Sequence, residues 1–575
     1  MKVNLLSRSL IGERTWPWLL DACVFASALG GVYAILLVSR FWFGAPVPEA
    51  VISRSPAALP LYAFYSVVRL FVAYVMSLVF AVGYGYIAAH YQRLEAVMLA
   101  ALDILQSIPV LSFLPGVMLA MVALFPSRQL GLELGSIVLI FTGQVWNMAF
   151  SVYSSTKSIP RELVEAAGVY RLSWWQRFSQ LEMPSAAIGL VYNSMMSVAG
   201  GWFFLMACEA FVLDNRDLRL PGLGSYLQTA ADAANTPAIL WGVATMIAVI
   251  VLLDQLVWRP VIAWAEKFKL EQVEAAQTPS SPILTMFRRS RVLHAIGRAA
   301  VDPAKEFVDL YFARRHEART PPRAPQTRLW GFRVFAAVAL AGLAYAAVRM
   351  IVMLASLTGP DLVEIFRGAG ATFLRVEFTL LLAGLWTIPV GVYVGLRPRL
   401  SAIAQPVAQV AASVPATALF PIVLLALIRV GGGLGIGSIL LLLLGTQWYI
   451  LFNVIAGASA IPTDLKEVCG VFRMSRIERW RKLFLPAIFP YLVTGFVTAS
   501  GGAWNASVVA EYSKIKGRTY STIGLGAVIS RATDAGNFAV LLGATVVMAA
   551  TVVTVNRLFW RKMYWLAATR YKLES

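Results

Sequence analysis

Long apolar stretches alternate with short polar ones along the whole chain. In the first half they fall near 16–38, 64–89, 99–125, 132–155, 185–212 and 237–264; in the second, near 331–355, 372–396, 402–428, 433–457, 487–512 and 534–560. A helix needs about 20 residues to cross the hydrocarbon core of a bilayer. The pattern therefore predicts an all-α membrane protein of about twelve transmembrane helices. The stretch near 16–38 is too long for the apolar core of a signal peptide and reads as a retained first helix. Between the halves, 266–330 is rich in arginine and broken by Thr278-Pro-Ser-Ser-Pro282 and Thr320-Pro-Pro-Arg-Ala-Pro325, which marks a linker. Its middle, from Pro303 to Arg315, mixes apolar and charged residues at helical spacing. It either lies on the membrane surface or forms a solvated tether with one frayed helix.

The two halves are one unit written twice. Glu165-Ala-Ala-Gly-Val-Tyr-Arg-Leu-Ser173 returns 302 positions later as Glu467-Val-Cys-Gly-Val-Phe-Arg-Met-Ser475, and Met183-Pro184 returns as Leu485-Pro486. At the same offset Trp146 meets Trp448, Pro160 meets Pro462, Trp202 meets Trp504, Glu209 meets Glu511 and Gly222-Leu-Gly224 meets Gly524-Leu-Gly526. Upstream the offset is 306, pairing Arg69 with Arg375, Pro109 with Pro415 and Pro115 with Pro421. The domain reading is a first repeat over 1–265 with a polar segment at 160–184, a basic cytoplasmic linker over 266–330, and a second repeat over 331–575 with its polar segment at 462–486. Six spans per repeat is an even number, so both copies insert the same way up, related by an axis along the membrane normal. Arg93, Arg397, Arg399, both polar segments, the linker and Arg561-Lys562 fall on one side, which the positive-inside rule assigns to the cytoplasm together with both termini.

Composition narrows the function. At 59% hydrophobic and 14% charged, with mean hydropathy +0.70, this is a polytopic membrane protein. The net charge of +19 follows from basic cytoplasmic loops and lipid contact, so it does not call for a nucleic acid. Three cysteines and three histidines show no metal-ligand spacing, so no metal is expected. No Walker A loop occurs, and Gly431-Gly-Gly-Leu-Gly-Ile-Gly437 reads as a turn between helices. No catalytic group or cofactor is expected in the chain, which reads as a transport subunit and not an enzyme.

The repeated polar segments carry the clearest local signal. Ser173-Trp-Trp-Gln176 and Ser475-Arg-Ile-Glu478 are capping boxes, in which the serine accepts from the amide three residues on and Gln or Glu reaches back. Pro160 and Pro462 open a helix ahead of each box. The product is a helix-turn-helix at the inner membrane face. These segments resemble the EAA loop of type I ABC importer permeases, which implies docking on cytoplasmic ATPases. Glu165-Ala-Ala167 with Met183-Pro184, and Glu467 with Leu485-Pro486, match the two ends of that pattern. In the middle, Arg171 and Arg473 occupy its glycine position, while Gly168 and Gly470 stand three residues earlier. The resemblance implies coupling to ATPase through Glu165, Gly168, Arg171, Ser173, Glu467, Gly470, Arg473 and Ser475. It implies two ATPase subunits, which bind the ATP and Mg, a periplasmic or lipid-anchored substrate-binding protein, and a place in the bacterial cytoplasmic membrane.

Gly200 to Glu209 and Gly502 to Glu511, each followed by Gly-Leu-Gly, are similar to permeases of the nitrate, sulfonate and taurine group. That likeness implies a small anion as solute. Candidate pathway residues are Gln144, Trp146, Asn147, Asn193, Ser197, Thr446, Trp448, Tyr449, Trp504 and Asn505, because indole and amide donors hold an anion without a fixed charge. The same residues also suit interfacial anchoring or helix pairing. Glu209 and Glu511 are assigned a gating or structural role, since a carboxylate repels an anion. Arg69 and Arg375 either attract anions or snorkel to headgroups. Two other readings stay open: an ion-coupled secondary transporter of two six-span halves, and a fused permease for iron or another cation.

Overall fold

A computed structural model describes residues 51–571, apart from 126–127, 214–215, 269–281, most of 291–301, most of 318–347, 430–432 and 516–517. The expected span near 16–38, Cys23 and much of the linker lie outside the described residues, as does the first part of the span near 331–355. The first repeat runs α1 (Leu59–His90), α2 (Gln92–Ser107), α3 (Leu114–Leu124), α4 (Arg128–Lys157), α5 (Arg161–Val169), α6 (Trp174–Arg177) and α7 (Met183–Glu209). A two-stranded β1–β2 hairpin (Val212–Leu213, Arg216–Asp217) leads to α8 (Leu223–Asp232), α9 (Thr236–Leu253) and α10 (Arg259–Ala265). The linker contributes α11 (Pro282–Arg289) and α12 (Asp302–Glu317).

The second repeat follows the same order: α13 (Gly359–Gly395), α14 (Pro398–Ser413), α15 (Ala416–Arg429), α16 (Leu434–Ser459), α17 (Thr463–Val471), α18 (Arg476–Arg479) and α19 (Leu485–Ala510). It closes with the β3–β4 hairpin (Tyr512–Ile515, Arg518–Ser521), α20 (Leu525–Asp534), α21 (Phe538–Val555) and α22 (Arg561–Arg570).

Eight helices among the described residues are long and apolar enough to cross a membrane. The expected spans near 99–125 and 402–428 are not single helices. Each is broken into α2 and α3, or α14 and α15, around Pro109 and Pro415. A proline disfavours helical conformation in the residue before it, so each break falls at one of the repeated prolines.

The four longer polar-to-apolar junctions share a further device. Phe178–Glu182, Asp254–Trp258, Trp480–Phe484 and Asn556–Trp560 are π-helical, with an amide reaching back five residues at the end of each. Ahead of Pro184 and Pro486 such a wide turn makes room for a ring that crowds the carbonyl four residues back. Lys562 stands where the first copy has Pro260, so the later pair of turns does not depend on proline.

Contacts group the described residues into two units. The smaller holds residues of 151–193 and 252–329, and the larger holds 51–150, 194–251 and 330–571. In the larger unit α16 packs against both α13 and α19. The approach of α13 depends on small residues: a Cβ at Gly391 would stand 2.7 Å from Val454 Cγ1, and one at Gly395 2.6 Å from Ile455 O. The repeats interlock there, because α15 contacts α8, α21 contacts α2, and Thr545 Oγ1 donates to Ser112 O at 3.1 Å.

Candidate functional site

Both polar segments fold into a helix, a tight turn and a capped second helix. Ser173 Oγ accepts from Gln176 N at 3.3 Å while Gln176 Oε1 accepts from Ser173 N at 2.8 Å; Ser475 and Glu478 repeat this at 3.3 and 2.9 Å. The turn between the helices is the same in each. Arg171 N donates to Gly168 O and Leu172 N to Ala167 O, both at 3.0 Å; Arg473 N donates to Gly470 O at 3.0 Å and Met474 N to Cys469 O at 3.1 Å. This pair of bonds is a Schellman motif, which needs a left-handed residue just past the helix end.

That residue is arginine in both copies, at φ 48° for Arg171 and 46° for Arg473. The replaced glycine therefore leaves the turn geometry intact. The earlier glycines serve it only through their carbonyls: Gly168 and Gly470 lie inside α5 and α17, where a Cβ would meet nothing within 4 Å. Each turn exposes an apolar tip. Val169 and Tyr170 are 80% and 78% exposed, and Val471 and Phe472 are 79% and 73% exposed. Glu165 and Glu467 are exposed beside them. Such tips are costly in water unless something covers them.

A second duplicated construction sits at the far ends of α7 and α19. Glu209 is fully buried and accepts from Ser66 Oγ at 2.7 Å, Arg69 Nη1 at 2.6 Å and Gly224 N at 2.7 Å. Ser66 Oγ in turn accepts from Leu223 N at 2.9 Å. In the second repeat Glu511 accepts from Thr372 Oγ1 and Gly526 N, both at 2.8 Å, and pairs with Arg375, while Leu525 N donates to Thr372 at 2.8 Å. Each carboxylate thus caps the N-terminus of α8 or α20, where helix dipole and free amides favour an anion. The Gly-Leu-Gly motif permits the approach: a Cβ at Gly224 would lie 2.7 Å from Met206 O.

Arg69 and Arg375 therefore neither snorkel nor stand free to attract anions. The copies differ at one point. Arg69 also binds Glu133, at 2.5 and 2.8 Å, whereas Gly435 holds that position in the second repeat and Arg375 Nη2 donates to Ile523 O at 3.0 Å. Ser66 and Thr372 were signalled only by a hydroxyl three residues before each repeated arginine. Glu133, having no counterpart, gave no signal.

The pathway candidates are not gathered in one cavity among the described residues. Trp448 and Tyr449 line a small one with Met195, Met196, Ala412 and Phe452. Gln144 is fully buried against Gly201, with neither its Nε2 nor its Oε1 hydrogen-bonded. Ser197 Oγ, Trp504 Nε1 and Asn505 Oδ1 are likewise buried without a partner. The others are satisfied locally: Asn147 accepts from Gln106 at 3.1 Å, Asn193 donates to Gly189 O at 2.9 Å and Thr446 to Leu442 O at 2.9 Å, while Trp146 packs edge-on to Phe80.

Both halves of the chain resemble known proteins. Residues 81–257 and 387–568 each match the family described as the binding-protein-dependent transport system inner membrane component. The chain is 31% identical over 147 residues to a nitrate import permease protein of Leptolyngbya laminosa, covering 26% of this chain and 51% of that protein. It is 33% identical over 141 residues to a bicarbonate transport system permease protein of Synechococcus elongatus, covering 24% and 49%. It is 28% identical over 184 residues to the taurine transport system permease protein of Escherichia coli, covering 32% and 61%. The chain thus spans about half the length of the nitrate and bicarbonate relatives. With two matches that together cover more than half of its residues, and the same turn and clamp built in each, the chain belongs to the family of binding-protein-dependent transport system inner membrane components.

Proposed function

We propose that this chain is the permease of an ATP-driven importer, supplying both halves of the pathway for a small anion. The observation that carries this reading is the duplicated turn with its exposed tip, Val169-Tyr170 and Val471-Phe472, held by a Schellman motif and a capping box in each repeat. Two cytoplasmic ATPase subunits dock on these tips, with Glu165 and Glu467 alongside. The linker and both termini then lie on the cytoplasmic side, and a periplasmic or lipid-anchored binding protein delivers the solute outside. The anion assignment leans on the substrates of the relatives: nitrate and bicarbonate are oxyanions, and taurine carries a sulfonate.

Within the membrane, Gln144, Ser197, Trp504 and Asn505 are the pathway residues this reading favours. Their buried polar atoms lack partners, and such atoms call for a water or a ligand. Trp448 and Tyr449 join them as walls of the small cavity. Glu209 and Glu511 act as structural clamps at the outer ends. No observation favours an ion-coupled carrier or a cation permease.

The test is uptake into vesicles loaded with the assembled complex. Uptake of nitrate, bicarbonate or taurine that requires ATP, and that Glu165→Lys or Glu467→Lys abolishes while lowering the amount of ATPase that co-purifies, supports the reading. Uptake that follows an ion gradient without ATP defeats it.

A further inference from the structure

The linker is more than a tether in the smaller unit. Phe312 of α12 stacks on Trp175, ring centroids 5.6 Å apart, and meets Trp174 nearly edge-on at 5.8 Å; Trp174 in turn stacks on Phe178 at 6.0 Å. Aromatic pairs at these separations contribute about 0.5–1.5 kcal/mol each beyond the area they bury. The platform exists once. In the second segment Arg476 and Ile477 replace the two tryptophans, so the linker helix has a seat made for the first segment alone.

Once seated through Phe312, α12 leaves Phe307, Leu310 and Tyr311 exposed, at the i, i+3, i+4 spacing of one helix face. That face is continuous with the coupling segment. Leu310 and the capping-box residue Gln176 line one open cleft of about 350 Å³, with Asp302, Lys305, Glu306 and Asp309. Charge argues against a bilayer as the cover. A helix that rests on anionic headgroups is rich in Lys and Arg, whereas α12 carries four acids (Asp302, Glu306, Asp309, Glu317) against three bases (Lys305, Arg314, Arg315).

We propose that α12 is a third docking element for the ATPase, present at the first coupling segment only. The chain then offers its two ATPase subunits unlike faces. One is aromatic and extended by the linker helix. The other is basic, with Arg473, Arg476, Arg481 and Lys482 exposed. This rests on the docking reading given above, and it predicts that one ATPase position makes contacts the other lacks.

Benzoylphenylalanine placed at Phe307, and separately at Phe472, in the full chain produced with the ATPase of its complex tests it. Adducts are probed with azido-ATP, which marks an ATP-binding partner. The expected result is a labelled adduct from both positions. Exchange of the platform by Trp174→Arg with Trp175→Ile then abolishes the Phe307 adduct and leaves the Phe472 adduct unchanged. If Phe307 links to lipid or to nothing while Phe472 still labels the ATPase, or if its adduct survives the exchange, the inference is overturned and the docking reading stands. If neither position yields a labelled adduct, both fall.

Discussion

Arg171 and Arg473 hold a backbone conformation that glycine reaches freely and an L-residue reaches at a cost of about 1 kcal/mol. Both repeats have arginine there, and under the docking proposal its exposed side chain is offered to the ATPase. Arg473→Gly is expected to raise thermal stability in detergent slightly while weakening retention of the ATPase. Arg473→Ala, which keeps the strain and loses the side chain, should weaken retention without the gain in stability. A glycine variant that is less stable than the alanine variant would contradict the left-handed turn. The buried arginines separate the repeats more sharply. Removing one partner of a buried ion pair costs about 3–5 kcal/mol. Arg69→Leu strands two buried carboxylates, Glu133 and Glu209, whereas Arg375→Leu strands Glu511 alone. The first variant should therefore unfold at the lower temperature. Adding Glu133→Gly to it, the second repeat's own composition, should bring it to the level of Arg375→Leu.

At the scale of elements, local chemistry was legible and long-range pairing was not. The capping boxes of α6 and α18 could be read because donor and acceptor lie three residues apart. The broken helices were not read: the apolar runs near 99–125 and 402–428 look like single spans, because the hydrophobic pattern continues across Pro109 and Pro415. Ser66, Glu133 and Glu209 come from three separate helices, and their role shows only where they meet, Ser66 on Glu209 and both carboxylates on Arg69. The π-helical junctions left no trace in the hydrophobic period, because a single wide turn shifts it too little to register. The β3–β4 hairpin was equally silent, yet it holds a titrating contact. Tyr512 donates its hydroxyl to Asp534 at the end of α20, and burial together with that carboxylate pushes the phenol up to about 12. A phenol raised in the fold favours the native state fully below its ordinary value of about 10, and that contribution is lost as pH rises from about 10 to 12. The melting temperature of the complex should therefore fall more steeply above pH 10 than that of a Tyr512→Phe variant. Equal slopes would mean that the hairpin and α20 are not joined through this bond.

For the whole molecule, the central fact is that two copies of one unit share a single chain and interlock in the larger unit, α15 on α8 and α21 on α2. Halves packed in this way cannot change conformation one at a time without breaking contacts such as Thr545 to Ser112. Packed cores switch between discrete arrangements and do not deform continuously. If two ATPase subunits dock as proposed, one that cannot pull should therefore stall both halves. Phe472→Asp places a charge on the second tip and leaves Val169-Tyr170 as it was, so one docking site is lost and the other kept. If the halves worked independently, ATP-dependent uptake of nitrate into vesicles would settle near half the wild-type rate. Interlocked halves instead predict that the single variant falls close to the Tyr170→Asp/Phe472→Asp double variant, although the intact site still retains an ATPase. Measuring retained ATPase and uptake on the same preparation separates the two cases: about half the ATPase with almost no uptake is the expected result, and uptake in proportion to retained ATPase would show that the repeats move separately.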